Sequence, residues 1–253
     1  MRPIIHSVRP GSPILATGLL ALAVHCSPLA ALELKDETLQ AFEAYITASE
    51  ARLDRGLAER GPFLCMNAQR HPWRQAIETA LRRGEVPTHR VNANSAKIPG
   101  GYIHHWLAVT FVPEANLQLA GAVSMDYDGY QRFHRPYVLD SALVKRDGHQ
   151  SRFKLRLEFR KLMFRVVLDT EQDMACYRLE GGRARARTAA TRIRQVARPG
   201  KETEELLRDN DNRNEGFLWR HRSYWRFQEG TLGGSEGTFL QYESVALSRK
   251  PHI

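Results

Sequence analysis

The sequence predicts an α+β fold, in which a curved antiparallel sheet of about seven strands packs with an N-terminal helix. Three observations favour this class: a helical apolar repeat near the N-terminus, alternating apolar and polar runs from Tyr137 onward, and short turn signals between those runs. Strands joined by short turns are antiparallel neighbours, and a sheet with one apolar face must cover it. With 253 residues, 42% of them hydrophobic, the chain can fill the core of one large domain.

Residues 1–31 are predicted to be a signal peptide. Arg2 and Arg9 precede an apolar run, Ile14–Val24. That run is much shorter than the roughly 20 residues a membrane span needs, and small residues follow it, as in export signals. The alternatives are an uncleaved anchor or a lipoprotein modified at Cys26. The prediction implies a periplasmic or secreted protein.

The chain is basic, with a formal net charge of +9 at pH 7. Loss of Arg2 and Arg9 with the signal peptide would leave a charge of about +7. Basic surfaces attract nucleic acid, anionic lipid or acidic polymers. Because an exported protein rarely meets nucleic acid, we expect no nucleic-acid partner. An anionic membrane surface is one candidate partner, and an ordinary solvated basic surface is the alternative.

Residues 32–97 are predicted to form an N-terminal helical segment and a linker. Apolar residues recur at helical spacing in 36–60, and Gly61-Pro62 ends the pattern. A second helix is predicted over 72–83. The Pro- and Gly-bounded stretch 84–101 that follows is typical of a linker.

Residues 98–253 are predicted to form the sheet domain. The first strand is Tyr102–Val112, and short helices follow in 114–136. Six further runs have the sequence pattern of strands: 137–146, 151–160, 163–179, 184–196, 217–228 and 236–248.

Two of these runs predict which side chains face the core. In "RFKLRLEFRK", Phe153, Leu155, Leu157 and Phe159 lie on one face, and the charged residues lie on the other. In "RARARTAATRIRQV" the arginines change from odd to even positions. A strand changes parity only through an extra residue, so we predict a β-bulge near Ala189–Ala190. We call these arginines, at 183, 185, 187, 192 and 194, the arginine row, and we expect it on the solvent-exposed face of the sheet.

The stretch "GFLWRHRSYWRF" indicates either a cavity wall or a filled core. Its odd positions place Trp219 and Trp225 on one face, with the smaller His221 and Ser223 between them and Phe227 beyond. Large side chains flanking small ones are typical of a cavity wall. In the alternative, helix 36–60 fills the gap.

Motifs of catalysis are absent from the sequence. It contains no His-Glu-x-x-His pair, no phosphate-binding Gly-rich loop and no Gly-x-Ser-x-Gly elbow. The adjacent His104 and His105 would point to opposite faces of a strand, so they cannot chelate one metal. His105 and His221 are expected to point inward, either as satisfied core residues or as bases. Neither metal nor cofactor is predicted.

Three blocks of sequence resemble the START-like superfamily, also called SRPBCC or helix-grip proteins, and more narrowly its uncharacterised exported bacterial members. The blocks are "GGYIHHWLAVTFVP", "MDYDGYQRFHRPYVLDSALVKRDG" and "GFLWRHRSYWRFQE…GGSEGTFLQYESVALSR", which lie within 98–250. Members of the family continue into a C-terminal helix that closes the cavity. Here the sequence stops at Ile253. The resemblance therefore implies that this grip helix is missing, that the chain is truncated, or that 36–60 covers the sheet instead.

The resemblance implies non-catalytic binding or transport of a lipid or other hydrophobic ligand in the cell envelope. Two alternatives stay open: a cyclase- or hydrolase-like enzyme using His105 or His221, and a basic envelope protein whose arginine row binds anionic lipid or polymer. Cys65 and Cys176 are either a disulfide or free thiols. The predicted ligand-binding residues are Trp219, His221, Trp225, Phe227, Phe153, Leu155, Leu157 and His105.

Overall fold

The computed structural model describes residues 6–8, 34–57, 61–68, 71–92, 96–161, 164–197, 199 and 216–249. The apolar run of the predicted signal peptide, 14–24, lies outside these residues. Within the same predicted segment, His6–Val8 forms a short edge strand. Cys65 and Cys176 are free thiols.

The described helices lie in two stretches of the chain, 36–82 and 117–133. The helices are α1 (Asp36–Arg55), α2 (His71–Arg82), α3 (Leu117–Ser124) and α4 (Tyr130–Phe133), with 3-10 turns at Cys65–Ala68 and Tyr127–Gly129. The acidic first turn and basic last turn of α1 both favour the helix dipole. The predicted helix over 36–60 is confirmed, although it ends at Arg55.

Within the described residues, ten strands form one antiparallel sheet. The strands are β1 (His6–Val8), β2 (Val86–Arg90), β3 (Ala96–Ile98), β4 (Gly101–Pro113), β5 (Val138–Asp147), β6 (Gln150–Lys161), β7 (Phe164–Leu179), β8 (Arg183–Gln195), β9 (Leu218–Leu232) and β10 (Ser235–Arg249). Their order is β1-β2-β4-β10-β9-β8-β7-β6-β5, and β3 also pairs with β4. The seven long strands, β4 to β10, confirm the predicted sheet.

The short strands β2 and β3 occupy the stretch whose Pro and Gly pattern predicts a linker. Pro87 cannot donate a hydrogen bond, which argues against a strand in a sequence pattern. In the structure, the pairing of β2 with β4 covers only Thr88 to Arg90. Pro87 lies beyond that pairing, so its missing N–H costs no bond to β4.

The sheet curves toward one face. Leu168 of β7, Leu218 of β9 and Ala246 of β10 belong to one buried cluster, although β8 lies between β7 and β9. Side chains meet across an intervening strand when the sheet bends toward them. We call this concave side, which also carries Phe153 and Trp225, the inner face. The opposite side is the outer face.

Helix α1 packs on the outer face. Phe42 and Ile46 of α1 are buried against Ile103, Val245 and other residues of β4, β9 and β10. Helix α2 covers the same face farther along, where Ile77 packs with the cluster that contains Val109. The space beside His221 and Ser223 is therefore not filled by α1, contrary to the alternative raised from the sequence.

The inner face is covered by what we call the cover segment, residues 117–137, which contains α3, the second 3-10 turn and α4. Leu117 and Ala120 of α3 pack on Phe227 and Leu240. No helix follows β10 within the described residues. An α+β, helix-grip-like arrangement of curved sheet and covering helices is thus confirmed.

The register of β6 agrees with its alternating sequence. Phe153 is 4% exposed and Leu155 is 6% exposed, whereas Arg152 and Lys154 are exposed. Leu157, farther along the same face, is half-buried. The strand therefore presents its apolar side chains to the inner face, as predicted.

The predicted β-bulge in β8 is confirmed, but the arginine row has a different role. Glu171 pairs with Arg192 and Gln172 pairs with Ala190, which leaves Thr191 as the extra residue. The row does not simply face water, because α1 lies over part of it. Arg185 forms an ion pair with Asp54 at 3.1 Å, and Arg187 forms ion pairs with Glu50 and Asp54. Acids one helical turn apart on α1 match arginines on alternate positions of β8.

Candidate functional site

A pocket lies on the inner face, between the sheet and the cover segment. Its walls come from the cover segment and from strands β5 to β10. The lining residues are Ser124, Tyr127, Tyr130, His134, Tyr137, Val138, Phe153, Leu155, Leu157, Phe159, Gln172, Met174, Thr188, His221, Ser223, Trp225 and Tyr242. None of them is Asp, Glu, Lys or Arg. An ionised ligand group would lose its hydration there without gaining a charged partner.

Tyrosines of the cover segment form one wall. The ring of Tyr127 stacks on Phe153, with centroids 3.9 Å apart and planes at 6°. Its hydroxyl donates to Met174 Sδ at 2.8 Å. The Tyr130 hydroxyl donates to the carbonyl oxygen of Ser124. These contacts hold both rings firmly over the sheet.

The floor of the pocket carries polar side chains that are already hydrogen-bonded. His221 Nε2 lies 3.0 Å from Ser244 Oγ. Burial, with a smaller contribution from the Arg222 charge, lowers the pKa of His221 to about 4. Burial raises the pKa of Tyr242 to about 12, although Ser223 and Ser244 hydrogen-bond to it. Both rings are therefore neutral at pH 7, and the floor offers neutral donors and acceptors.

The free space in the pocket is small, about 50 Å³. That volume holds no more than a few water molecules, whereas pockets for drug-sized ligands measure roughly 300–1,000 Å³. A ligand larger than a few atoms therefore enters only if a lining side chain moves.

Five of the eight predicted ligand-binding residues line this pocket: Phe153, Leu155, Leu157, His221 and Trp225. Phe227 lies beside it, with its ring 5.8 Å from that of Trp225 and under helix α3.

Trp219 does not share a face with Trp225, in contrast to the sequence prediction. Leu247 pairs with Arg220, but Ser248 pairs with Leu218, so Trp219 is an extra residue at a bulge. The bulge turns its indole to the outer face, where it packs in the cluster of Phe42 and Ile46. Strict alternation along β9 cannot anticipate this change.

His105 also lies on the outer face. It shares the parity of Ile103 and Leu107, as predicted, but α1 covers that side of β4. Its Nε2 lies 3.0 Å from Glu243 Oε2, and its Nδ1 lies 3.0 Å from the Tyr45 hydroxyl. His105 is therefore part of the contact between helix and sheet and cannot meet a ligand in the pocket.

The sequence reasoning missed the aromatic wall of the cover segment. The stretch "DYDGYQRFHRP" predicts a turn or a second small helix and no part of the binding site, yet Tyr127, Tyr130, His134 and the following Tyr137 line the pocket. Their spacing of three and four residues is typical of one helical face. That spacing was the available signal.

Two further kinds of site are absent from the described residues. No three His, Cys, Asp or Glu side chains there lie close enough to hold a metal ion. No described helix is both long and apolar enough to cross a membrane.

No family model and no curated protein sequence matches the chain. Solved structures do resemble it. The STAR-related lipid transfer protein of Xanthomonas axonopodis is 15% identical over 66% of this chain and 79% of its own, with a TM-score of 0.43. The Zhui aromatase/cyclase of a Streptomyces species is 12% identical over 60% and 72%, with a TM-score of 0.37. The human StarD13 lipid transfer and protein localization domain is 10% identical over 73% and 86%, with a TM-score of 0.39.

At these identities and TM-scores the likeness identifies no ligand. The order of elements, from β4 through the cover segment to the six antiparallel strands β5 to β10, is the one that the sequence resemblance implies. The arrangement of the described elements is helix-grip-like.

Proposed function

We propose that this protein binds a neutral, mostly apolar small molecule, of lipid or aromatic type, in the inner-face pocket, and that it does so without catalysis. The observation that carries the proposal is the uncharged lining, in which aromatic and aliphatic side chains surround a few neutral polar groups. Such a combination is typical of sites for apolar ligands that carry one or two polar atoms.

The polar groups favour a ligand with a hydroxyl or carbonyl group over one with a charge. His221, Ser223 and Gln172 offer neutral donors and acceptors on the floor. Burying about 300 Å² of apolar ligand surface would supply roughly 7 kcal/mol, before the cost of association is subtracted. A buried carboxylate without a cation would offset much of that gain.

Calorimetric titration with matched neutral and anionic compounds tests this proposal. We expect decanol to bind better than decanoate and 2-naphthol to bind better than 2-naphthoate, each by about tenfold or more. A protein that binds the anions as tightly as the alcohols contradicts the neutral-ligand proposal. A protein that binds none of the four contradicts the binding function itself.

Catalysis is the weaker candidate, although the close contact of His221 with Ser244 resembles a base beside a nucleophile. A general base works best when its pKa lies near the working pH. Burial lowers the pKa of His221 to about 4, which leaves it a weak base at neutral pH. The arginine row is also a weak candidate for binding an anionic polymer or membrane, because α1 already pairs with part of it.

We also propose that binding takes place in the cell envelope. The support is the basic start and short apolar run of residues 1–31. N-terminal sequencing of the protein from the expressing bacterium should give a mature end near Leu32. Recovery of chains that begin at Met1 from the cytosol would contradict export.

A further inference from the structure

We propose that the indole of Trp225 is a movable plug, which fills the pocket when no ligand is bound and sets the size of ligand that can enter. This inference rests on the proposed binding function and assigns a specificity-determining residue to it. The free space of about 50 Å³ is the starting point. Something must leave the pocket before a ligand of several rings or a long alkyl chain can enter.

Trp225 lies between two of the apolar clusters of the inner face. It packs against the cluster that contains Tyr127 and Phe153, and also against the one that contains Leu117 and Ala120 of α3. Displacing its ring would extend the pocket toward Leu117 and Ala120 of α3. Tryptophan is also the largest side chain in the lining, so its movement frees the most volume.

Three other large rings of the lining, those of Tyr127, Tyr130 and Tyr242, are held in place by polar contacts. Tyr127 donates to Met174, Tyr130 donates to Ser124, and the Tyr242 hydroxyl is hydrogen-bonded to serines of the floor. Within the described part of the chain, no hydrogen bond holds the Trp225 indole. It is held by ring contacts, with Tyr242 at 4.6 Å and with Phe227, and by its packing against the two apolar clusters. A ligand ring can replace such contacts at little cost.

The neighbours of Trp225 across the sheet leave it room to turn. On β10 its partner is Tyr242, but on β8 its partner is Ala186. A methyl group on that side allows the indole to reach another staggered rotamer without moving the backbone. Trp225 is also partly exposed, which places it at the mouth of the pocket.

The test uses neutral aromatic alcohols of increasing size: 2-naphthol, 9-hydroxyphenanthrene and 1-hydroxypyrene. Calorimetry would compare the full chain with Trp225→Ala and with the milder Trp225→Phe. If Trp225 is a plug, Trp225→Ala should bind 1-hydroxypyrene at least ~10-fold more tightly and change 2-naphthol binding by less than ~3-fold. Trp225→Phe should lie between the wild type and Trp225→Ala.

Trp219→Phe is the matched control, because it makes the same change on the same strand but on the outer face. It should leave the affinity for all three compounds as in the wild type. If Trp225→Ala and Trp225→Phe weaken binding equally for every size, Trp225 is a fixed wall and the plug is wrong, while the binding function stands. If neither the wild type nor any variant binds any of the three compounds, the proposed binding function is wrong. The proposed role of Trp225 is then wrong as well.

Discussion

Glu243 is 0% exposed, yet its carboxylate is ionised at the contact between α1 and the sheet. Burial alone would raise its pKa, but hydrogen bonds and charge from His105 and Arg52 outweigh that effect and lower the pKa below its usual value. Gln241 donates to the second carboxylate oxygen at 2.8 Å. A buried acid with every oxygen satisfied fixes one position of α1 on β10.

Replacing Glu243 by Gln should therefore destabilise the fold. The change removes the charge while Arg52 and His105 remain, and breaking a buried pair costs about 3–5 kcal/mol. Arg52 is 38% exposed and can turn to water, so we expect a smaller loss in the free energy of unfolding, about 2–3 kcal/mol. Urea denaturation measures it. The exposed pair of Asp147 and Lys145 supplies the control, since Asp147→Asn should change stability by less than about 0.5 kcal/mol. Equal effects of the two changes would show that the buried pair contributes no more to the free energy of unfolding than the exposed pair does.

His221 should make stability depend on pH. Its pKa is near 6.5 when unfolded and about 4 in the folded protein, so the unfolded chain takes up a proton first as pH falls. Stability is therefore complete above pH 6.5 and declines toward pH 4, by roughly 3 kcal/mol for this residue. Burial also lowers the pKa of His104 to about 4, which adds to the decline.

The pH dependence is measured by urea denaturation from pH 7 to pH 4 on the wild type and on His221→Gln. The glutamine cannot be protonated, so its profile should be flatter. His149→Gln, at an exposed position, should keep the wild-type slope. A wild-type slope retained in His221→Gln would mean that the His221 ring is not the titrating group.

Among single residues, five of the eight predicted ligand-binding side chains line the pocket, whereas Trp219 and His105 lie on the outer face. Alternation says which side chains share a face, and it was right for His105 with Ile103 and Leu107. Which face is concave depends on the curvature of the whole sheet. The bulge at Trp219 depends on the pairing of β9 with β10. Neither can be obtained from one strand alone.

Among the elements, α1 stabilises the sheet from the side away from the pocket. Phe42 is 0% exposed in a cluster with Ile103 and Leu247. The Phe42→Ala change should lower the free energy of unfolding by about 3–5 kcal/mol, because it leaves a cavity under the helix. Gln40→Ala, on the exposed side of the same helix, should change it by less than about 0.5 kcal/mol.

The same variant separates the two faces of the sheet. If the pocket is the binding site, Phe42→Ala should retain the wild-type affinity for 2-naphthol under conditions in which it is folded. A loss of binding in the folded variant would place the ligand between α1 and the sheet. Unfolding and calorimetric titration of one preparation give both results.

Long strands and helices were predicted well because each carries its own periodicity over ten residues or more. The short strands β2 and β3 carry only five and three residues and take their stability from β4. The cover segment mixes a 3-10 turn with a four-residue helix, so its local pattern resembles a turn. Its ring contacts with β6 decide its structure.

In the whole molecule, the sheet separates the layer of α1 and α2 from the layer that covers the pocket. Over β4, β9 and β10 the outer face is covered by α1 and α2, with two apolar clusters and the buried Glu243 between them. The inner face is closed only by the short helices of the cover segment. Four apolar side chains on or beside that segment are about half exposed or more: Leu119, Val123, Phe133 and Val144. We therefore expect the layer that covers the pocket to be the less stable one.

Hydrogen exchange of the whole chain tests this division. In the free protein, amides of β10 from Gln241 to Ser248, where every residue is buried, should exchange most slowly, and amides of 117–137 should exchange fastest among the helices. At 2-naphthol concentrations about tenfold above Kd, binding stabilises the closed state by about 1.4 kcal/mol, so exchange of the cover segment should slow by about tenfold. Exchange of α1 should not change, because α1 lies behind the sheet. If exchange slows in α1 and does not change in 117–137, the ligand binds on the outer face. The proposed difference in role between the two faces is then wrong.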